Sequence, residues 1–290
     1  MIEIAERYHR NTLLFGLAGQ ERLCSTTALI VGAGGLGSPL ALHLALLGVG
    51  TIVLADFDEL DETNRNRFVG ARFDDPVPGS KKVSLLRRMI AEINPGITVT
   101  AIPFGLVSEA VFEAVQAADW VFGCFDGDGP RSILNELCAV YEKPFIDLAS
   151  DVAEDGCYGG RVAVSIDGEG CLNCLDLLDQ REVRRYLDTP ESRRAEDELY
   201  GVPTSALDAA GPSVSPLNGV VASLSAMEFM VAATGMRRPT RLQEYRGWQS
   251  KVVVSADKPS ADCMYCSGLR GNHRGADVER FLRLPHLRTE

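Results

Sequence analysis

Short apolar runs alternate with amphipathic stretches through the first 150 residues. Runs of apolar and β-branched residues at 27–31, 51–55, 98–102, 120–124 and 144–148 read as strands. Helical spacing predicts helices between them at 36–48, 81–94, 108–117 and 129–142. In the second of these, Val83, Leu86, Ile90 and Ile93 recur on one face, and Asn94-Pro95-Gly96 stops it. Residues 3–24 read as short helices with turns at Gly16 and Gly19, and 56–79 reads as irregular chain broken by Pro76, Pro78 and Gly79. This alternation predicts an α/β fold: a Rossmann-like, doubly wound, mostly parallel sheet with helices on both faces.

The pattern changes after residue 150. Residues 159–166 read as a strand that extends the sheet antiparallel, and 241–255 as two more strands around Gly247. Residues 176–198 carry dense charge of both signs, fitting a solvated helix or a crossover loop. Residues 201–215 are rich in Gly, Pro, Ser and Ala, and 219–234 form a long apolar helix. Neither an internal repeat nor a clean linker is visible, so the second half is expected to continue the first sheet. Two segments, 39–55 and 216–235, are apolar enough to suggest membrane spans. Gly48 and Gly50 break the first and Asn218 and Glu228 interrupt the second, so both read as buried elements and no membrane is expected.

Composition narrows the classes. The chain has 290 residues, 46% of them hydrophobic, enough for a substantial core. A net charge of −11 speaks against a nucleic-acid partner. The first residues are mixed polar and charged, unlike a secretory signal, and eight cysteines in a chain of this size suit a reducing, cytoplasmic setting.

The chemistry concentrates early. Glycines at 32, 34, 35 and 37 join the first strand to the first sheet helix, where a helix N-terminus offers free N–H groups to a phosphate. Asp56 follows Gly37 by 19 residues at the end of the second strand, where a carboxylate can hold ribose hydroxyls. That glycine pattern alone fits a dehydrogenase as well as a nucleotidyl-transferring enzyme. Asp56-Phe57-Asp58, Asn64 and Arg67 shift the balance toward the second.

With these motifs the chain resembles the ThiF/MoeB/HesA family of ubiquitin-activating-type adenylyltransferases. The resemblance covers nearly the whole chain: Arg7-Tyr-x-Arg10, Gly32-x-Gly-Gly-x-Gly37, Asp56-Phe-Asp58, Asn64-x-x-Arg67, Lys82-Val83, Ile93-Asn-Pro95, Cys124-x-Asp126 with Arg131 and Asn135, Gly219-x-x-x-Ser223-x-x-Ala226-Met-Glu228, and the pairs Cys171-x-x-Cys174 and Cys263-x-x-Cys266. It implies a single adenylation domain over 1–290, with N-terminal helices at 1–24, a nucleotide-binding half at 25–150, and a substrate-binding and dimer half at 151–290 containing a crossover loop at about 176–215. It also implies that the C-terminal carboxylate of a small ubiquitin-like or sulfur-carrier protein, or of a peptide, attacks the α-phosphate of ATP. The products are an acyl-adenylate and pyrophosphate.

By the same resemblance, the glycine turn packs under the nucleotide, Asp56 binds ribose, and Asn64, Arg67 and Lys82 contact the phosphates. Asp126 binds Mg²⁺. Arg10 reaches across a homodimer interface to the partner's ATP. The four paired cysteines, Cys171, Cys174, Cys263 and Cys266, meet as a structural zinc site.

Each assignment has a plain competitor. Asp56 could merely cap its strand, Asn64 and Arg67 could be loop polar residues, and Lys81 competes with Lys82. Asp58 could touch nucleotide or metal. Arg131 and Asn135 could be helix-packing groups, and Arg10 could form a surface salt bridge. The paired cysteines could instead be disulfides. No cysteine lies between Cys174 and Cys263, which argues against covalent acyl transfer there. Cys124 and Cys138 read as core residues, and Cys157 as the exposed thiol. The four histidines show no metal spacing. A nicotinamide or flavin oxidoreductase and an inactive partner-binding scaffold of the same fold are the competing functions.

Overall fold

Strands β1 (Thr27–Val31), β2 (Thr51–Ala55) and β3 (Thr98–Ile102) coincide residue for residue with the apolar runs that predict them. In the computed structural model, which describes residues 5–152, 156–194, 212–256, 259–260 and 262–289, they join five further strands in one sheet of order β3-β2-β1-β4-β5-β6-β7-β8. β4 (Trp120–Gly123) and β5 (Phe145–Val152) pair parallel with their predecessors in that order. β6 (Tyr158–Ser165), β7 (Leu242–Arg246) and β8 (Lys251–Val254) add antiparallel. The sheet of the first half thus runs straight into the second. β5 extends four residues past the predicted end at Leu148 because β6 pairs with it along all eight of its residues.

Helices cover both faces. α1 (His9–Ser25) is bent at Gly16, whose φ is 76°; Gly19, expected to turn, stays helical and packs against Thr234. α2 (Gly37–Leu47) ends on left-handed Gly48. α3 (Lys82–Ile93) presents the predicted apolar stripe to the core. Ser108 caps α4 (Glu109–Ala117), α5 is Asp128–Val140, and Asp179 caps α6 (Gln180–Leu187). α7 (Ser215–Ala233) starts earlier than predicted, with Pro216 in its first turn. By length and composition α7 could cross a membrane. Its inner face instead packs on α2, β5 and β6, and Phe229 stands edge-on to Trp120 and Phe122. The Gly/Pro/Ser-rich stretch at 201–215 falls largely outside the described residues.

A polar clamp shapes the irregular loop before α3. Arg88 of α3 grips Asp75, 2.5 Å and 2.8 Å from its two oxygens, and also donates to Gly70 O. Hydrogen bonding from Arg88 holds the Asp75 carboxyl down to about 2, below its ordinary 3.8. The pair therefore stabilises fully above the unfolded carboxylate's range and loses its contribution as pH falls through about 2. Asp75→Asn is expected to cost about 1 kcal/mol at neutral pH, discounted for solvent screening, and to remove that acid-side loss of stability. Urea titrations between neutral pH and pH 2 check this; equal midpoints for variant and parent throughout would refute it.

Candidate active site

A cavity of about 850 Å³ opens along the C-terminal ends of the parallel strands, where open α/β sheets place their ligands. It is lined by the glycine turn, Asp56, Asp58, Asn64, Arg67, Lys82 and Asp126 together. Residues separated by as much as 94 positions in sequence are thus collected around one space.

The turn from β1 into α2 is made by close backbone approach. Gly32 has φ 96°, and a Cβ there would lie 2.5 Å from Cys124 O. A Cβ on Gly37 would lie 1.9 Å from Gly32 O. Side chains are excluded at both positions, so bare backbone borders a space that a phosphate can enter.

Asp56 is 9% exposed and held beneath this turn. Its Oδ2 accepts from Ala33 N at 2.6 Å and its Oδ1 from Asp58 N at 2.8 Å. Burial pushes its carboxyl up, while the Lys82 charge and these two backbone donors pull it back. Each oxygen keeps acceptor capacity for a ribose hydroxyl.

The structure also separates the two neighbouring lysines. Lys82 Nζ lies 2.7 Å from Asp58 Oδ2 in the cavity wall, with its side chain 10% exposed. Lys81 turns outward to Phe57 O and Glu59. Asn64 accepts from Asp61 N through Oδ1 at the end of a short turn. Arg67 donates to Thr63 O and Asn66 Oδ1 and lays its aliphatic stem over Gly35. Arg10 is exposed on the first turn of α1 and is absent from the residues lining this cavity.

Asp126 follows β4 and is exposed at the cavity; among the described residues it forms no ion pair. Its backbone is secured by Arg131, whose Nη2 donates to Phe125 O and, at 3.2 Å, to Leu148 O. The same guanidinium meets Asp128 at 3.0 Å and fully buried Asp147 at 3.2 Å. Burial pushes the Asp147 carboxyl up, and Arg131 and Arg161 oppose that shift. Arg131 is thus the fixed floor of the Asp126 turn. Asn135 works elsewhere. Its Oδ1 accepts from Leu172 N at 3.0 Å, joining α5 to the first cysteine pair.

Sequence reasoning missed several lining residues. Asn218, 1% exposed, accepts from Ser150 Oγ at 2.9 Å and donates to Ser213 Oγ at 3.1 Å. Its signal was a polar residue inside an apolar helical run. Glu182 and Tyr186 reach the cavity from α6, part of the charge-rich crossover segment. Glu182 accepts from Asp128 N at 2.7 Å, and Asp128 accepts from Asp179 N at 2.8 Å. Tyr186 packs over Gly129 so closely that a Cβ there would overlap its ring.

The two cysteine pairs meet beside α5. All four Sγ atoms lie within 4.8 Å of one another, with Cys171–Cys263 at 3.6 Å and Cys174–Cys266 at 3.9 Å. These distances are too long for disulfides, and all eight cysteines are free thiols. They match the ~3.8 Å edges of a tetrahedron of sulfurs around zinc at ~2.3 Å. The Cys266 thiol foremost, helped by neighbouring backbone N–H groups, holds Cys171 down to about 5, while Cys266 is raised. Sulfurs this close compete for protons, and a cation of matching size relieves that competition. Cys124 and Cys138 are buried, and burial raises both thiols. Cys157 and Cys24 are both partly exposed.

Residues 8–266 match the model of the ThiF family. The chain is 33% identical to the sulfur carrier protein ThiS adenylyltransferase of Escherichia coli K12 over 267 residues, covering 90% of this chain and 95% of that one. It superposes on Escherichia coli MccB crystallised with ATP at a TM-score of 0.70 and 22% identity, covering 91% of this chain and 75% of that one. The structure of the microcin C7 biosynthetic enzyme MccB with N-formylated MccA gives 0.72 and 22%, covering 90% and 75%. The chain belongs to the ThiF family. Within it, the chain is an adenylyltransferase.

Proposed function

We propose that the cavity binds ATP and Mg²⁺ and activates the C-terminal carboxylate of a small ubiquitin-like or sulfur-carrier protein, or of a peptide. One observation carries this reading: Asp56, Asn64, Arg67, Lys82 and Asp126 line a single space with the glycine turn. A dinucleotide enzyme needs the turn and the ribose carboxylate, but it has no use for three further polyphosphate contacts beside them.

A carboxylate oxygen attacks the α-phosphorus, the bond from that phosphorus to the bridging oxygen breaks, and pyrophosphate leaves. Carboxylate and triphosphate repel each other, so the chain must neutralise charge and hold the two in line. Lys82 provides a point charge and Arg67 a forked one along the phosphates. Asp126 is the residue that would hold Mg²⁺, and the ion would supply charge neutralisation to the phosphates. The ribose sits against Asp56. The attacking carboxylate enters from the β5 side, where Ser150 and Asn218 line the cavity opposite Asp56.

Zinc held by Cys171, Cys174, Cys263 and Cys266 is the structural metal of this reading. A homodimer is its assembly: Leu13, Leu14 and Leu17 expose their side chains on α1 beside Arg10, an apolar face that a partner copy would cover. Eight free thiols suit a reducing cytoplasm.

A screen of C-terminal peptides by ATP–pyrophosphate exchange tests this function. Exchange is expected only with a free terminal carboxylate and not with the amidated peptide. A purified protein that carries bound dinucleotide and exchanges with no acid would refute it. Sedimentation of the same preparation should show a dimer; full exchange by a monomer would remove Arg10 from the site.

A further inference from the structure

The chain does not end at the second cysteine pair, where the family match stops. Residues beyond it return across the fold toward the nucleotide cavity. Val278, Phe281 and Leu287 are buried in the core layer formed by α4, α5 and the outer face of the sheet. Short helical turns at Val278–Arg283 and Pro285–Leu287 carry this segment along. Its last described residues enter the cavity wall: Leu287 and Thr289 line it together with Phe57, Gly105 and Leu106.

The attachment is specific. Gly105 N donates to Thr289 Oγ1 at 2.8 Å. A Cβ on Gly105 would lie 2.2 Å from that oxygen, so only glycine allows the segment this close. On the other side, His286 Nε2 lies 3.2 Å from Leu187 O at the end of α6.

Position along the sheet indicates what the segment meets. The phosphate-binding turn follows β1, Asp56 follows β2, and Gly105 and Leu106 follow β3 at the sheet's edge. A nucleotide with its phosphates at the turn and its ribose at Asp56 directs its base toward that edge. There it meets an exposed ring, Phe57, and two aliphatic side chains, Leu106 and Leu287. Thr289, whose oxygen already accepts from Gly105, keeps its own O–H to donate to a base nitrogen or carbonyl.

We propose that residues 285–289 form a strap recognising the purine base, with Leu287 and Thr289 as specificity-determining residues. This rests on the ATP reading above and adds the base-selective element. A two-ring base offers more flat apolar surface to the wall of Phe57, Leu106 and Leu287 than a pyrimidine does.

Calorimetry of the full chain with MgATP and with MgCTP tests the strap. The parent protein is expected to prefer ATP. Leu287→Ala is expected to weaken ATP binding about tenfold, the loss that follows from removing one aliphatic contact, and to cut the ATP-over-CTP preference by a similar factor. Thr289→Val keeps the shape of a half-buried side chain. It should reduce the preference severalfold with at most a small drop in melting temperature, the cost of the lost bond from Gly105 N, and so guards against a folding defect in the first variant. Parent-like ATP affinity and base preference in both variants would overturn the strap alone. A parent protein that binds no ATP would overturn the adenylation reading, and the strap with it.

Discussion

Asp126→Ala is expected to lower ATP–pyrophosphate exchange by about 10³-fold, the scale seen when one well-placed charge-stabilising group is removed from an active site. The melting temperature should remain that of the parent. Both halves follow from the local geometry. Asp126 is exposed at the cavity and forms no ion pair among the described residues, so its carboxylate supports no neighbour. The turn that carries it is held from below by Arg131 through Phe125 O and by the buried Asp147. Removing the side chain leaves that support intact. Asp126→Asn keeps the shape and loses the charge, and should be nearly as inactive. Parent-like exchange in either variant, at saturating Mg²⁺, would remove Asp126 from its assigned place.

Stripping metal from the four-cysteine cluster should lower the melting temperature by on the order of 10–20 °C. Each Cys171–Cys263 and Cys174–Cys266 contact spans 92 residues. Closing a chain loop of that length restricts the unfolded state by on the order of 4–5 kcal/mol, and each kcal/mol moves the midpoint of a protein this size by about 2–4 °C. Cys171→Ser should reproduce the effect of a chelator. ATP affinity well below the melting transition should be nearly unchanged, because none of the four cysteines lines the cavity, and Asn135, which holds the first pair, does not line it either. Metal analysis finding no zinc in protein purified without chelator, or scans that overlay with and without chelator, would end the assignment.

How much was legible in the sequence differs by region for physical reasons. β1, β2 and β3 were readable to the residue because each is a short apolar run ended by glycine or a polar turn. The cavity's first half was readable because glycine spacing and a strand-end carboxylate are local signals. The family register favours Lys82 over Lys81, and side-chain direction is what the register alone leaves out. One step along the chain turns a side chain from the cavity to solvent, and only the fold shows which. Arg131 and Asn135 are four positions apart on one helix and read alike. In space one holds the Asp126 turn and the other holds a cysteine knuckle. The charge-rich stretch before residue 198 contains α6, one of the two alternatives its charge allows; it docks on α5 with Val183, Tyr186 and Leu187, a short apolar stripe set among charges. The segment after Cys266 carries only one short apolar repeat, Val278, Phe281 and Leu282, because it packs as short turns against surfaces made elsewhere.

The strand order has a consequence for how the chain is made. Ala28 in β1 lies beside Trp120 in β4, 92 residues later. A ribosome adding about 5–20 residues per second takes roughly 5–20 s to supply that neighbour. During this interval β1 has β2 on one flank only, and its other edge offers unpaired N–H and C=O groups beside one of the most apolar stretches of the chain. Synthesis therefore passes through a sticky half-sheet before the nucleotide cleft can exist.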